Sequence, residues 1–282
     1  MTITICICGA GTMGSGIAQV AAQGGFNTIL FDVNIAAIDK AKIFIEKNLQ
    51  YLADKSKISP SEKNEIYSRI HFITDIKECT GEIIIEAIVE IEEAKVLLFN
   101  ELAKYNNEEV IFATNTSSLS VSAIQEKITF PQRVVGMHFF NPAYIMKLVE
   151  VVKGNQTGDE IANIIFDVCK QMGKEPVICK DAPGFIVNRI ARHYYLESLK
   201  IVEEGIASFN EVDAILEATG FKMGPFKLMD LIGMDINLTV SQSMYHAFKE
   251  AKRFEPSAIQ VEKVRKGELG KKTGKGFYDY SN

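Results

Sequence analysis

The sequence predicts an α/β protein in two parts. Residues 1–183 read as a mostly parallel sheet with helices on both faces, and residues 184–282 as an all-helical unit. The chain opens with an apolar run, Ile3 to Cys8, that meets glycines at 9, 11 and 14 and then changes to helical spacing through Met13, Ile17 and Val20. Continuous apolar runs of strand length then alternate with amphipathic stretches as far as Cys179, the mark of a sheet buried on both faces. Beyond Asp181-Ala-Pro-Gly-Phe185, only helical periodicity remains to about residue 266.

Strand, tight turn and helix around Gly9-x-Gly11-x-x-Gly14 predict a Rossmann-type dinucleotide site. Gly9 permits the turn, Gly11 lets backbone approach a pyrophosphate, and Gly14 lets helix and strand pack closely. The helix N-terminus then offers unpaired N–H groups to the phosphates. A second strand, Thr28 to Asp32, ends in the acid expected to accept hydrogen bonds from the adenosine ribose and to repel a 2′-phosphate. NAD is therefore favoured over NADP, and no Arg among Val33, Asn34 and Ile35 would welcome the extra phosphate.

In order, Ile38, Ala41, Ile45, Leu49 and Leu52 mark a long amphipathic helix, on which Asn48 and Lys55 share a face. Ser59-Pro-Ser-Glu62 is a capping box opening a helix to about Arg69. Strands follow at 83–89, 110–114, 134–138, 148–152 and 176–179, with helices at 92–105 and 159–172, the latter expected to be capped by Thr157. Helices are then expected at 185–204, 208–220, 230–248 and 257–266, a layer better suited to dimerisation than to an independent module. The ending from Gly270 to Tyr280 reads as a flexible basic tail.

A net charge of −5 gives no reason to expect nucleic acid, and no apolar stretch is long enough to span a membrane. Five scattered cysteines lack metal-ligand spacing, so Cys6 and Cys8 read as small core residues in a reducing cytoplasm and no metal is expected. The N-terminal run is a strand rather than a signal peptide.

Polar residues stand where strands hand over to loops: Asn115-Thr-Ser117-Ser, His138-Phe-Phe-Asn141-Pro, Leu148-Val-Glu150, and Asn188 after Pro183-Gly. With Glu86-Ala-Ile-Val-Glu90, Met146-Lys-Leu-Val-Glu150, Met223-Gly-Pro-Phe and Lys272-Thr-Gly-Lys-Gly-Phe-Tyr, these motifs resemble the 3-hydroxyacyl-CoA dehydrogenases, most of all short-chain bacterial 3-hydroxybutyryl-CoA dehydrogenases, over nearly the whole chain.

The resemblance implies His138 as general acid/base, Glu150 as its carboxylate partner, and Ser117 and Asn188 as hydrogen-bond donors to the substrate oxygens. The chemistry suits these roles: hydride loss at C3 requires loss of the hydroxyl proton, and a buried acid orients a histidine and stabilises its imidazolium. It further implies Glu90, Lys95, Asn115, Asn141 and Lys272 at the nicotinamide half of the cofactor, and Asn48 and Lys55 on the coenzyme A arm. His71, His193 and His246 lack such settings. Tyr144 stands where relatives carry smaller residues and would shorten the acyl site if it pointed there.

The expected function is that of a homodimeric NAD-dependent enzyme interconverting L-3-hydroxyacyl-CoA and 3-oxoacyl-CoA, with 3-hydroxybutyryl-CoA and acetoacetyl-CoA as the expected pair. A dehydrogenase of a free hydroxy or sugar acid, or a non-catalytic protein on the same scaffold, are the alternatives.

Overall fold

In the computed structural model, which describes residues 3–281, the chain forms two compact units, Met1–Ala182 and Pro183–Asn282. Met1, Thr2 and Asn282, the outer ends of the two expected domains, lie outside the described residues.

The first unit is built on β1 (Thr4–Cys8), α1 (Thr12–Gln23), β2 (Asn27–Phe31), α2 (Ile35–Asp54), α3 (Pro60–Ser68) and β3 (Ile70–Ile73). It continues through β4 (Ile83–Glu86), α4 (Glu92–Leu102), β5 (Ile111–Thr114), α5 (Val121–Gln125), β6 (Val134–Phe139), β7 (Leu148–Lys153), α6 (Asp159–Gln171) and β8 (Glu175–Lys180). The eight strands form one sheet in the order β3-β2-β1-β4-β5-β6-β7-β8. Chain direction therefore reverses its sideways progress next to β1, which makes the crevice beyond Cys8 the switch point where such sheets bind ligands.

β1 to β6 are parallel, whereas β7 runs antiparallel to β6. The reversal follows from the connection: residues 140–147 contain no helix, and a parallel crossover needs a dozen or more residues. β8 is again parallel to β7, through α6.

Apolar side chains of α1, α2 and α6 pack on Ile5, Ile7, Ile85, Val135 and Met137 in the main core. Ser59 and Glu62 complete the expected capping box of α3. Three local expectations differ. β3 was not anticipated, because Ile-His-Phe-Ile is short and directly follows a helix. The strand expected at 83–89 ends at Glu86. Thr157 does not cap α6; its hydroxyl donates to the Val134 carbonyl at 2.6 Å and accepts from the Gly154 amide at 2.9 Å, and Gly158 takes the cap position.

The second unit contains α7 (Val187–Glu203), α8 (Phe209–Ala218), α9 (Pro225–Ile232), α10 (Met234–Ala247) and α11 (Ala258–Arg265). The single helix expected at 230–248 is two helices, because Gly233 adopts φ 104° between them. Tyr195, Leu199, Val212, Phe226, Met229 and Met234 form the core. The C-terminal segment is docked rather than loose: the buried Asp230 carboxylate accepts from the amides of Phe277 and Tyr278, each at 2.9 Å. Among the described residues, no helix is long and apolar enough to cross a membrane.

Candidate active site

The turn after β1 is determined by close contacts. Gly9 has φ 107°, and a Cβ there would lie 2.6 Å from the Ala87 carbonyl oxygen. A Cβ on Gly14 would lie 1.7 Å from the Gly9 carbonyl oxygen, so α1 can start this close to β1 only without a side chain. Gly11, at the N-cap of α1, faces open space.

Beside it is a cavity of about 310 Å³ whose walls include Gly11, Thr12, Ser15, Asn34, Lys40 and Phe44. Asp32 stands at the end of β2, its two carboxylate oxygens accepting from the Ala10 and Asn34 amides, both at 2.9 Å. A glycine turn open above Gly11, a helix N-terminus and an acid beside one cavity fit the pyrophosphate and ribose of a dinucleotide. Lys40 and Phe44 were not singled out from sequence. The signal existed, since Ala37, Lys40, Ala41 and Phe44 follow i, i+3, i+4, i+7 spacing along α2.

The antiparallel pairing of β6 and β7 brings His138 directly opposite Glu150. Directly opposed residues point to the same face, so the imidazole and carboxylate meet: Nδ1 lies 2.8 Å from Glu150 Oε2. Both residues are buried, at 5% and 1% exposure. The Phe140 ring packs on the imidazole with centroids 4.5 Å apart. Glu150 is the third residue of β7, yet the reversed direction puts it at the sheet end where β6 finishes.

A second buried network underlies the Asn115–Ser118 loop. The ammonium of Lys95, 1% exposed, lies 2.6 Å from Glu86 Oε1 and 3.1 Å from Glu90 Oε2. Glu86 also accepts from the Thr114 hydroxyl at 2.8 Å. Glu90 Oε1 in turn gathers the loop, accepting from the Thr116 hydroxyl at 2.6 Å and from the Ser117 amide at 2.8 Å. Burial raises the Glu86 pKa, against the pull of Lys95. Burial also pushes Glu90 upward, but Lys95, the Thr116 hydroxyl and the Ser117 amide outweigh it and hold Glu90 below the usual range. Glu86 went unassigned in the sequence because an acid inside an apolar strand gives no clue to its partner. Asn115 Oδ1 accepts from the Phe139 amide at 2.9 Å and so ties this loop to β6.

Other expected positions are more dispersed. Asn141 is exposed beyond β6. Asn48 donates to Gln19 Oε1 at 3.2 Å, while Lys55 is the exposed C-cap of α2, its ammonium 5.9 Å from the centre of the Tyr51 ring. Tyr144 packs edge-on against Phe44 at 5.5 Å and belongs to the periphery of the main core. In the second unit Asn188 lies in the first turn of α7, and Lys272 forms an ion pair with Asp235 at 2.6 Å.

Residues 4–182 match the family model for the 3-hydroxyacyl-CoA dehydrogenase NAD-binding domain, and residues 184–280 match the C-terminal domain model of the same enzymes. Over 279 residues, 98% of this chain, it is 42% identical to a 3-hydroxyadipyl-CoA dehydrogenase of Escherichia coli, of which it spans 59%. It is 39% identical to a probable 3-hydroxybutyryl-CoA dehydrogenase of Deinococcus radiodurans, with 97% of this chain and 99% of the relative covered. A crystal structure of (S)-3-hydroxybutyryl-CoA dehydrogenase from Ralstonia eutropha superposes over 100% of both chains with a TM-score of 0.96 at 36% identity. The chain carries the NAD-binding domain and the C-terminal domain of these enzymes, and it belongs to the 3-hydroxyacyl-CoA dehydrogenase family.

Proposed function

We propose that the chain catalyses NAD-dependent interconversion of L-3-hydroxyacyl-CoA and 3-oxoacyl-CoA, with 3-hydroxybutyryl-CoA and acetoacetyl-CoA as its main pair. The observation that carries the reading is the buried His138–Glu150 pair at 2.8 Å. The preference for the C4 pair rests on the names of the Deinococcus and Ralstonia relatives; the name of the Escherichia relative favours a six-carbon dicarboxylic substrate as a second reading.

In oxidation, His138 takes the substrate hydroxyl proton through Nε2, and Glu150 stabilises the imidazolium and fixes the ring. In reduction, His138 returns the proton to the new alkoxide. Bound NAD supplies the hydride acceptor. Gly9, Gly11, Gly14 and Asp32 hold the dinucleotide, with Lys40 and Phe44 as added walls of its cavity. Ser117 and Asn188 are assigned the substrate oxygens. Glu90, Asn115, Asn141 and Lys272 are assigned the nicotinamide half, with Lys95 acting through Glu90, which it fixes from beneath. Asn48 and Lys55 are assigned the coenzyme A arm.

The domain assignment is cofactor binding by residues 1–183, and substrate binding with homodimer formation by residues 184–282. Dimer formation is supported by an apolar groove of about 630 Å³ walled by Ile201, Ile206, Val212, Ile215 and Leu216. The assignment to a reducing cytoplasm rests on the odd number and scattered spacing of the cysteines. The test is His138→Gln: NADH binding is retained while turnover falls at least about 100-fold, the lower end of what a positioned acid/base contributes. Unchanged turnover would remove His138 from the mechanism.

A further inference from the structure

Three cysteines that the proposed reaction does not use converge inside the first unit. Cys6 and Cys8 alternate along β1 with Ile5 and Ile7; the isoleucines belong to the main core, so the thiols project from the opposite face of the sheet. Cys79 arrives from the connection ahead of β4, after a single turn of 3-10 helix at Ile76–Glu78. Asn106 holds this connection, donating to the Cys79 carbonyl at 2.9 Å and accepting from the Gly81 amide at 3.2 Å. The three Sγ atoms lie within 4.8 Å of one another, and all three residues are fully buried. They carry no disulfide.

We propose that Cys6, Cys8 and Cys79 form a three-sulfur site for a trivalent thiophilic element, with arsenic(III) as the ligand that fits best. Soft sulfur donors select soft acceptors. Net charge decides among them, because a charge enclosed in a buried site is costly. Three thiolates leave a monovalent ion with an excess of two negative charges and a divalent ion with one, whereas a trivalent centre gives a neutral complex. Structural zinc sites are almost always four-coordinate, and among the described residues no fourth His, Cys, Asp or Glu joins this cluster. The step balances without an oxidant. Arsenous acid, As(OH)₃, exchanges its three As–O bonds for three As–S bonds, and the three thiol protons leave with the hydroxides as three waters.

The test is incubation of the full-length native protein with arsenite, read by native mass spectrometry and by the ultraviolet absorbance of As–S bonds. The expected result is one arsenic atom gained and three hydrogens lost. Cys79→Ala, and separately Cys8→Ala, should bind at least about 100-fold more weakly, the loss expected when a multidentate ligand gives up one arm. Circular dichroism checks that each variant folds. The Cys169→Ala/Cys179→Ala double variant should bind like the parent. No mass gain, a gain that survives Cys79→Ala in a folded protein, or equal competition by zinc would overturn the proposal.

Discussion

Glu150→Gln isolates the charge of the proposed catalytic pair. The glutamine is nearly isosteric, so its amide oxygen can still accept from Nδ1 across the 2.8 Å contact, and the ring orientation survives. What disappears is a negative charge beside the imidazolium that the proposed reaction forms at His138. For two unit charges about 4 Å apart, an effective dielectric of about 20 gives roughly 4 kcal/mol. At about 1.4 kcal/mol per factor of ten, that limits the effect to just under a thousandfold. Both groups are buried, so little of it is screened away by solvent. The expected turnover loss is therefore about 10²- to 10³-fold. The dissociation constant for NADH, measured by fluorescence titration, should stay within about twofold, since Gly9, Gly11, Gly14 and Asp32, which are assigned the dinucleotide, are left intact. Glu150→Ala should lose more, because the Nδ1 donor is then buried without its acceptor at a further cost of about 1–3 kcal/mol. Stopped-flow oxidation of bound NADH separates chemistry from binding. Glu150→Gln turning over within threefold of the parent would refute the assignment of charge stabilisation to this residue.

Two further outcomes follow from other sites. Asp32→Ser removes the acid at the end of β2, and the affinity for NADH should fall about 10- to 100-fold, the worth of a charged hydrogen bond, while the preference for NADH over NADPH narrows; an unchanged preference in paired titrations would count against its role. Lys174 is buried, its ammonium donating to the carbonyls of Ala143 at 2.5 Å and Met146 at 3.0 Å in the β6–β7 connection, and burial pulls its pKa down from 10.5 to about 8. Between those values the unfolded chain holds a proton that the folded one has released, so this residue's contribution to stability rises with pH from about 8 to 10.5 and is lowest below 8. At about 1.4 kcal/mol per pH unit the window carries at most roughly 3 kcal/mol. Denaturation of the parent against Lys174→Met across that range should show the parent gaining stability relative to the variant; a flat difference would contradict the buried-amine account.

The strand, turn and helix at the N-terminus were legible because Gly9 and Gly14 have steric duties that no other residue can meet. The long α2 and the capping box at Ser59 were equally plain, since period and caps are local. The direction of β7 was less plain: hydrophobic runs look alike whether parallel or antiparallel, although the eight residues between β6 and β7 were too few for a helix crossover. That reversal turns His138 and Glu150 from two separate motifs into a contact. β3 was too short to carry a period, and Gly233 looked like any tolerated helical glycine until its φ was known. The docked C-terminal segment depends on Asp230, and the Cys79 thiol on its distance from β1 in sequence. Both are long-range partners that no local pattern encodes.

The most direct test of the central claim is the initial rate of NADH oxidation with acetoacetyl-CoA, run beside free acetoacetate at matched concentration. Rapid oxidation with the thioester and little with the free acid is the predicted result. Comparable rates with both, or none with either in a protein that binds NADH, would contradict the assignment to coenzyme A thioesters.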